Sequence, residues 1–317
     1  MTVLVIVEHD RGAVPDAALE ALTAARKFAV PVHAAVMGEG AADATASLGA
    51  YGAETVHHLT SPNLGDYSPE AWGAAAAAAV GSLSPSIVLS VGSERGNELM
   101  AQIAARLDLP FVANCVEVNA DATAMTRAQW GGALHEEATL EATTKLISFA
   151  PHAIEATESP AAGTVAELAV EVDAALNRTQ VKDRVVLSEG ITLSTAPVVV
   201  SGGRAVGSEE AFAPLEELAT ELGGKVGCSR AVTNNGWRPH SDQVGQTGTR
   251  IAPTIYIASG ITGATQHWVG AMGSKNILAI NTDPEANMVT KAGWAVIADL
   301  HEVIPAITEE VRKRRAG

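Results

Sequence analysis

The sequence predicts an α/β protein of two domains, each a mainly parallel sheet covered by helices. Its 317 residues exceed the usual length of one domain. Short segments rich in Val, Ile and Leu alternate with alanine-rich segments, which is the pattern of parallel strands joined by helices. In the second half, glycine and hydroxyl residues follow several predicted strands. We therefore expect an N-terminal α/β domain over residues 1–185 and a doubly wound domain over residues 186–317.

The first half begins with strands and helices in alternation. Runs of Val, Ile and Leu predict buried strands, and the alanine-rich segments between them predict covering helices. The predicted strands are residues 3–7, 32–36 and 87–89. The predicted helices are residues 15–28, 69–80 and 94–107.

Closely spaced strand segments follow the helix at 94–107. They are residues 112–118, 123–130, 133–139 and 144–149, with a Gly131-Gly132 turn between two of them. This spacing favours an antiparallel addition to the sheet. Residues 155–197 have no strong helical period and contain one alternating segment, 165–172, which we interpret as a crossing strand followed by the interdomain link.

The second half returns to the α/β alternation. Strands are predicted at residues 197–200, 225–228, 255–258, 277–280 and 295–297. Helices are predicted at residues 209–222, from Ala264 and from Leu300. The last helix ends in the basic run 312–315, whose charge complements the helix dipole, with partner binding as the less favoured interpretation.

Composition and charge exclude several classes of function. With 21 basic and 36 acidic residues the net charge is −15, so a general nucleic-acid or anionic-membrane surface would be repelled. No segment is apolar over the length of a membrane span. The two cysteines lie far apart and His57-His58 lacks a third ligand, so no metal site is predicted. The N-terminus has no basic signal region, and a cytoplasmic protein is expected.

Four strand ends of the second half carry small and polar residues in place of ordinary turns. They are residues 201–204, 227–230, 244–248 and 259–267. In open parallel sheets a ligand binds beyond the carboxyl ends of the strands, where glycine lets backbone N–H groups approach a phosphate. Several such ends in one domain predict a large, extended, anionic ligand.

Known phosphate and catalytic motifs do not occur. Gly224-Lys225 lacks the preceding Walker glycine and is followed by Val226 in place of a hydroxyl residue. The segment 38–43 has Asp43 where a dinucleotide fingerprint needs its third glycine, so we interpret it as a strand-to-helix turn with Asp43 as the helix cap. Neither a nucleophile elbow nor a zinc-protease helix is present. No catalytic residue is predicted.

The segment 255–270, IYIASGITGATQHWVG, followed by ILAIN at 277–281, resembles the signature of the electron transfer flavoprotein alpha subunit (FixB-like) family. Thr262 stands where Ser or Asp is usual, and Thr265 where an aliphatic β-branched residue is usual. The resemblance covers essentially the whole second domain and is weaker in the first. Its other segments are SGGR at 201–204, CSR at 228–230, QVGQTG at 243–248, NTDPEA at 281–286 and ADL at 298–300.

The resemblance implies that the second domain binds FAD. His267 would place a donor or a cation at the N1 and C2 carbonyl end of the flavin, where the charge of an added electron accumulates. Arg230 would pack over or beside the ring, and Thr247 would offer its hydroxyl to N5. Asn281 and Asp299 would meet the ribose and adenine edges, and Asp299 fits the N-cap of the last helix equally well. The residues implied for the pyrophosphate are Ser229, Thr262, Gly263 and Ala264. The other implied site residues are Arg204, Val244, Gly245, Gln246, Thr265, Gln266 and Leu300.

The resemblance further implies an electron carrier without a substrate of its own. It would take electrons from flavoprotein dehydrogenases and pass them to an acceptor such as a membrane quinone oxidoreductase. The implied partner is a beta subunit that packs on the first domain and holds AMP or a second FAD. Two alternatives stay open on similar α/β folds. One is a nucleotide-dependent enzyme, such as an NAD-consuming deacylase or an ATP-pyrophosphatase-like protein, and the other is a regulatory nucleotide-binding module. The lack of an acid/base set beside the glycine turns disfavours the enzyme.

Overall fold

The chain folds, in a computed structural model, into two compact units, Met1–Val185 and Val186–Gly317. The structure describes residues 1–132, 134–183 and 191–316. The point between residues 185 and 186 where the sequence predicts the domain boundary lies outside the described residues. Each unit has its own mainly parallel sheet covered by helices, so the predicted α/β class is confirmed.

The first unit is built on a nine-stranded sheet in the order β7-β6-β5-β8-β4-β1-β2-β3-β9. Alternate side chains of β1 enter two apolar clusters, one on each face of the sheet, as expected for parallel strands covered on both sides. The strands are β1 (Val3–Ile6), β2 (Val32–Met37), β3 (Thr55–Thr60), β4 (Ile87–Val91), β5 (Phe111–Val118), β6 (Ala124–Gln129), β7 (Leu134–Thr139), β8 (Lys145–Phe149) and β9 (Thr164–Ala169). The helices are α1 (Asp16–Ala25), α2 (Ala41–Leu48), α3 (Pro69–Leu83) and α4 (Glu94–Leu107).

One strand of the first unit was not predicted, and the start of one helix was predicted wrongly. Strand β3 reads TVHHLT, and its two histidines conceal the apolar pattern of a strand that pairs with β2. Helix α2 begins after Gly40, whose φ of 81° is the left-handed conformation that glycine favours. The prediction that Asp43 caps this helix is therefore wrong, because Asp43 already lies in its first turn.

The antiparallel addition is smaller than predicted. Strands β5, β6 and β7 are antiparallel neighbours, but β8 lies between β5 and β4 and is parallel to both. Four of the five residues of β8 are buried, so its place is inside the sheet and not on the exposed hairpin. The crossing strand is β9, which pairs with β3 in parallel at the opposite edge.

The second unit is a five-stranded parallel sheet in the order β11-β10-β12-β13-β14. The strand order reverses between β10 and β12, which is the switch point where doubly wound sheets bind ligands. The strands are β10 (Val198–Gly202), β11 (Lys225–Cys228), β12 (Ile255–Ser259), β13 (Ile277–Asn281) and β14 (Trp294–Ile297). The helices are α5 (Ala213–Glu221), α6 (Arg230–Asn234), α7 (Thr265–Ala271), α8 (Asn287–Lys291) and α9 (Leu300–Ala316). The short helices α6 and α8 were not predicted.

The basic run at the end of α9 contacts another helix. Arg312 forms ion pairs with Glu217 at 2.7 Å and with Glu221 at 2.6 Å, both of which lie on α5. These pairs are exposed to solvent, so each contributes little to stability. These ion pairs neutralise part of the positive charge of the basic run within the unit.

Candidate functional site

A cavity of about 510 Å³ opens at the carboxyl edge of the second sheet. It lies beside the ends of β10, β11, β12 and β13 and therefore includes the switch point between β10 and β12. Nine of the sixteen predicted site residues line it: Arg204, Ser229, Arg230, Thr262, Gly263, Ala264, Gln266, His267 and Asn281. A cavity of about 570 Å³ beside β5, β6 and β7 contains none of the predicted residues.

Two arginines line this cavity without a partner in the described part of the chain. Arg204 follows β10 and Arg230 begins α6, and both side chains are exposed. Neither guanidinium group forms an ion pair or hydrogen bond with any described residue, although acidic residues outnumber basic ones by 36 to 21. Two unpaired guanidinium groups facing one cavity fit an anionic ligand that can accept forked hydrogen bonds.

The turn after β12 forms one wall of the cavity and is tightly packed from behind. Gly260 has a φ of 62° and Gly263 a φ of 77°, a region that other residues rarely adopt. A Cβ on Gly263 would lie 2.4 Å from the backbone nitrogen of Met288, at the second position of α8. Only glycine fits at this position, so the backbone of residues 262–264 is held at the cavity by α8.

One predicted loop does not line the cavity, but it is hydrogen-bonded to helix α7, which does line it. This loop contains the predicted residues Val244, Gly245, Gln246 and Thr247. The backbone N–H of Gln246 donates to the carbonyl of Gln266, in the first turn of α7, at 2.7 Å. Gln243 is buried and donates from Nε2 to Thr247 Oγ1 at 3.0 Å. Because the hydroxyl oxygen of Thr247 accepts this bond, its proton stays free to donate elsewhere.

We expect Gly270→Ala to displace this loop. A Cβ on Gly270 would lie 2.3 Å from the backbone nitrogen and 2.4 Å from the Cα of Gly245. Forcing the two backbones apart should reduce the free energy of unfolding by about 1–3 kcal/mol, the usual cost of overpacking, and weaken retention of the ligand. Urea unfolding measures the first effect. Gly293→Ala is the control, because its Cβ would meet only Ile277 O at 3.9 Å, and an equal loss in both variants would contradict the proposed contact.

His267 lines the cavity from α7 and is 7% exposed. Its Nε2 lies 2.7 Å from the hydroxyl of Tyr256, which is fully buried in β12. Its Nδ1 is buried and has no hydrogen-bond partner among the described residues. Burial lowers the pKa of His267 to about 4, and the backbone of Val244 only partly opposes this. Of the two expectations from the sequence, a donor or a cation, the structure therefore favours a neutral donor.

Two other predicted residues, Asn281 and Asp299, each form a hydrogen bond with the backbone. Asn281 Nδ2 donates to the carbonyl of Ile261 at 3.1 Å, so its side chain supports the turn after β12. Asp299 Oδ1 accepts from the backbone N–H of His301 at 2.9 Å, which is the helix-cap interpretation of this residue. Leu300 is buried, and Thr265 is the first residue of α7. Neither Asp299 nor Leu300 nor Thr265 is among the residues that line the cavity.

Several residues of the site were not predicted. The cavity is also lined by Ala205, Ala231, Gly260 and Ile261, which adjoin predicted residues in the chain and carry no polar side chain that would mark them. Tyr256 stands among apolar strand residues, and only its hydroxyl signals a role. A buried phenol needs a hydrogen-bond partner. This rule is the one signal that could have marked Tyr256 as a residue of the site.

Other kinds of site find no support in the described residues. Residues 1–132, 134–183 and 191–316 contain no group of three or more His, Cys, Asp or Glu side chains placed to hold a metal ion. The two cysteines are free and buried, and burial raises the pKa of each thiol to about 12. Among the same residues, none of the helices combines the length and apolar character needed to cross a membrane.

Comparison with known proteins gives matches over both units. Residues 192–272 match the electron transfer flavoprotein FAD-binding domain, and residues 3–175 match the electron transfer flavoprotein domain. The electron transfer flavoprotein subunit alpha of Mycobacterium leprae is 36% identical over 316 residues, covering 98% of both chains. The chain belongs to the electron transfer flavoprotein alpha subunit family. The subunit alpha of Bacillus subtilis is 31% identical over 98% of this chain and 97% of its own. Protein FixB of Rhizobium meliloti is 34% identical over 98% of this chain and 93% of its own.

Membership in the electron transfer flavoprotein family decides between the alternatives left open by the sequence. This family consists of electron carriers and not of enzymes that convert a substrate, so the nucleotide-dependent enzyme and the regulatory module are set aside. The region that matches the FAD-binding domain includes the cavity turn after β12 and the loop of Gln243 to Thr249. Because the family is one of alpha subunits, membership in it implies that a second, different subunit exists as a partner.

Proposed function

We propose that the cavity at the switch point of the second unit holds FAD. The observation that carries the proposal is the pair of cavity arginines, Arg204 and Arg230, which have no partner in the described part of the chain. An anionic dinucleotide supplies the acceptors that these guanidinium groups lack. The cavity reaches four strand ends and is of the size typical for cofactor sites, about 300–1,000 Å³.

The residues divide into two groups by their chemistry. Arg204, Ser229 and the backbone of residues 262–264 suit the phosphates, because they offer donors beside the turns after β10, β11 and β12. Arg230 and His267 suit the flavin ring, where a guanidinium and a neutral imidazole N–H stabilise added negative charge. Bound FAD supplies the redox chemistry, since the flavin accepts and releases electrons. The protein binds the cofactor, orients it and sets the electrostatic environment of the ring.

We further propose that a beta subunit packs on the first unit and holds AMP or a second FAD. Support comes from the β6–β7 hairpin, where Trp130 is 75% exposed and Leu134 is 51% exposed. Large apolar side chains exposed together are typical of surfaces that a partner covers. In this assembly the chain takes electrons from flavoprotein dehydrogenases and passes them to an acceptor such as a membrane quinone oxidoreductase. The two free cysteines suit a reducing cytoplasm.

The test is the cofactor of the purified complex. The full chain is produced together with a beta subunit, and the flavin released by acid is identified by chromatography. We expect FAD, because the cavity offers sites for a pyrophosphate and an adenosine as well as the ring. FMN, or a folded complex without flavin, would contradict the proposal. If ultracentrifugation showed that the chain alone is a stable, flavin-loaded monomer, this would contradict the proposed beta-subunit partner.

A further inference from the structure

Tyr256 contacts the cavity histidine from inside the sheet. Its side chain is fully buried, and its hydroxyl lies 2.7 Å from His267 Nε2, with the two ring centres 6.2 Å apart. The two residues belong to different elements, β12 and α7, so the bond fixes the helix to the strand at this point. Such a short contact between a phenol and an imidazole is a hydrogen bond, and one of the two atoms must carry the proton.

The surroundings of the two groups favour Tyr256 as the donor in this bond. Burial raises the pKa of the phenol well above its usual range, and the neighbouring Ser201 hydroxyl opposes this only in part, so the phenol stays protonated. Burial also keeps His267 neutral, with one protonated and one bare ring nitrogen. A buried phenol O–H needs an acceptor, and the bare nitrogen within reach is His267 Nε2. The imidazole proton is therefore assigned to Nδ1, which forms no hydrogen bond of normal geometry with the described residues, although the Val244 backbone lies close enough to oppose part of the lowering of the His267 pKa.

We propose that Tyr256 is a positioning residue that fixes His267 as the neutral Nδ1–H tautomer, so that the cavity histidine presents a donor to the cofactor. The inference rests on the proposed function, since the acceptor is the flavin. The Val244 backbone satisfies this buried N–H only in part, so the ring gains free energy when a ligand acceptor reaches it. Without the Tyr256 hydroxyl, the proton can move to Nε2 and the ring loses the bond that holds its plane.

The test reads the tautomer directly. The full chain, labelled with ¹⁵N-histidine and produced with the beta subunit, is studied by two-bond ¹H–¹⁵N correlation NMR. The His267 signals are assigned by their loss in His267→Gln. We expect a protonated Nδ1 and a bare Nε2 in the wild type. In Tyr256→Phe we expect a population with protonated Nε2 and FAD retention weakened about 2- to 10-fold, the loss of one hydrogen bond. Tyr51→Phe, in the first unit, is the matched control and should change neither result.

The outcomes separate this inference from the proposed function. A wild-type ring protonated on Nε2 overturns the role of Tyr256, and so does a Tyr256→Phe variant with unchanged tautomer and FAD retention. If Tyr256→Phe does not fold, the wild-type spectrum alone decides. A wild-type complex without FAD contradicts the proposed function, whereas the tautomer remains measurable in that protein.

Discussion

Arg230→Ala is expected to weaken FAD retention roughly 10- to 150-fold, the loss of hydrogen bonds to a charged group worth about 1.5–3 kcal/mol. Arg230 lines the cavity and has no ion pair with the described residues, so we expect its charge to pair with the ligand. The flavin that remains bound after dialysis of the complex at increasing dilution measures the effect. Because the side chain is exposed and forms no ion pair with the described residues, stability without FAD should change by less than about 0.5 kcal/mol.

Two matched variants test the origin of this loss. Arg230→Lys keeps the charge but loses the planar fork, so its FAD retention should fall between those of the wild type and Arg230→Ala. Arg314→Ala removes another exposed arginine of the same unit, which pairs with Glu310 on α9, and should retain FAD normally. Equal losses in Arg230→Ala and Arg314→Ala would show that only net charge matters and that Arg230 has no specific contact.

His267→Ala is expected to lower the one-electron reduction potential of the bound flavin by roughly 65–130 mV. The reason is the loss of one hydrogen bond to the reduced ring, about 1.5–3 kcal/mol, divided by the charge of one electron. The oxidised ring carries less negative charge and loses less. Since the pKa of His267 is lowered to about 4, the imidazole is neutral across the neutral range, and the difference between variant and wild type should not change between pH 6 and pH 8. Spectroelectrochemical titration at both pH values measures it.

Thr247→Ala is the comparison for His267→Ala. Its hydroxyl accepts from Gln243, and the family resemblance implies that it faces N5 of the ring, away from the carbonyl end. The potential of Thr247→Ala should therefore shift less than that of His267→Ala. Weaker FAD binding in His267→Ala with an unchanged potential would mean that the histidine has a structural role only.

The elements that the sequence predicted well are those whose pattern is local. The helix at 94–107 coincides with α4, and the strand at 225–228 coincides with β11, because their periodicity and boundaries depend on nearby residues. Strand β3 and the position of β8 were not predicted. The histidines of β3 conceal its pattern, and the parallel pairing of β8 with β4 depends on residues nearly 60 positions apart in the chain.

The candidate site shows the same division. The glycine turns and the two arginines at strand ends can be predicted from the sequence, because residue type and position after a predicted strand are enough to identify them. Gly270 contacts Gly245, and Tyr256 bonds to His267. Both contacts join segments whose proximity cannot be predicted from any local sequence pattern.

The sequence by itself determined the α/β class, and it predicted an anionic ligand at the glycine turns of the second half. The tertiary structure alone decided that the guanidinium groups of Arg204 and Arg230 face one cavity without partners among the described residues, and that His267 is buried as a neutral ring. The physical reason is that charge state and pairing depend on burial and on neighbours from other strands, which only the folded sheet brings together.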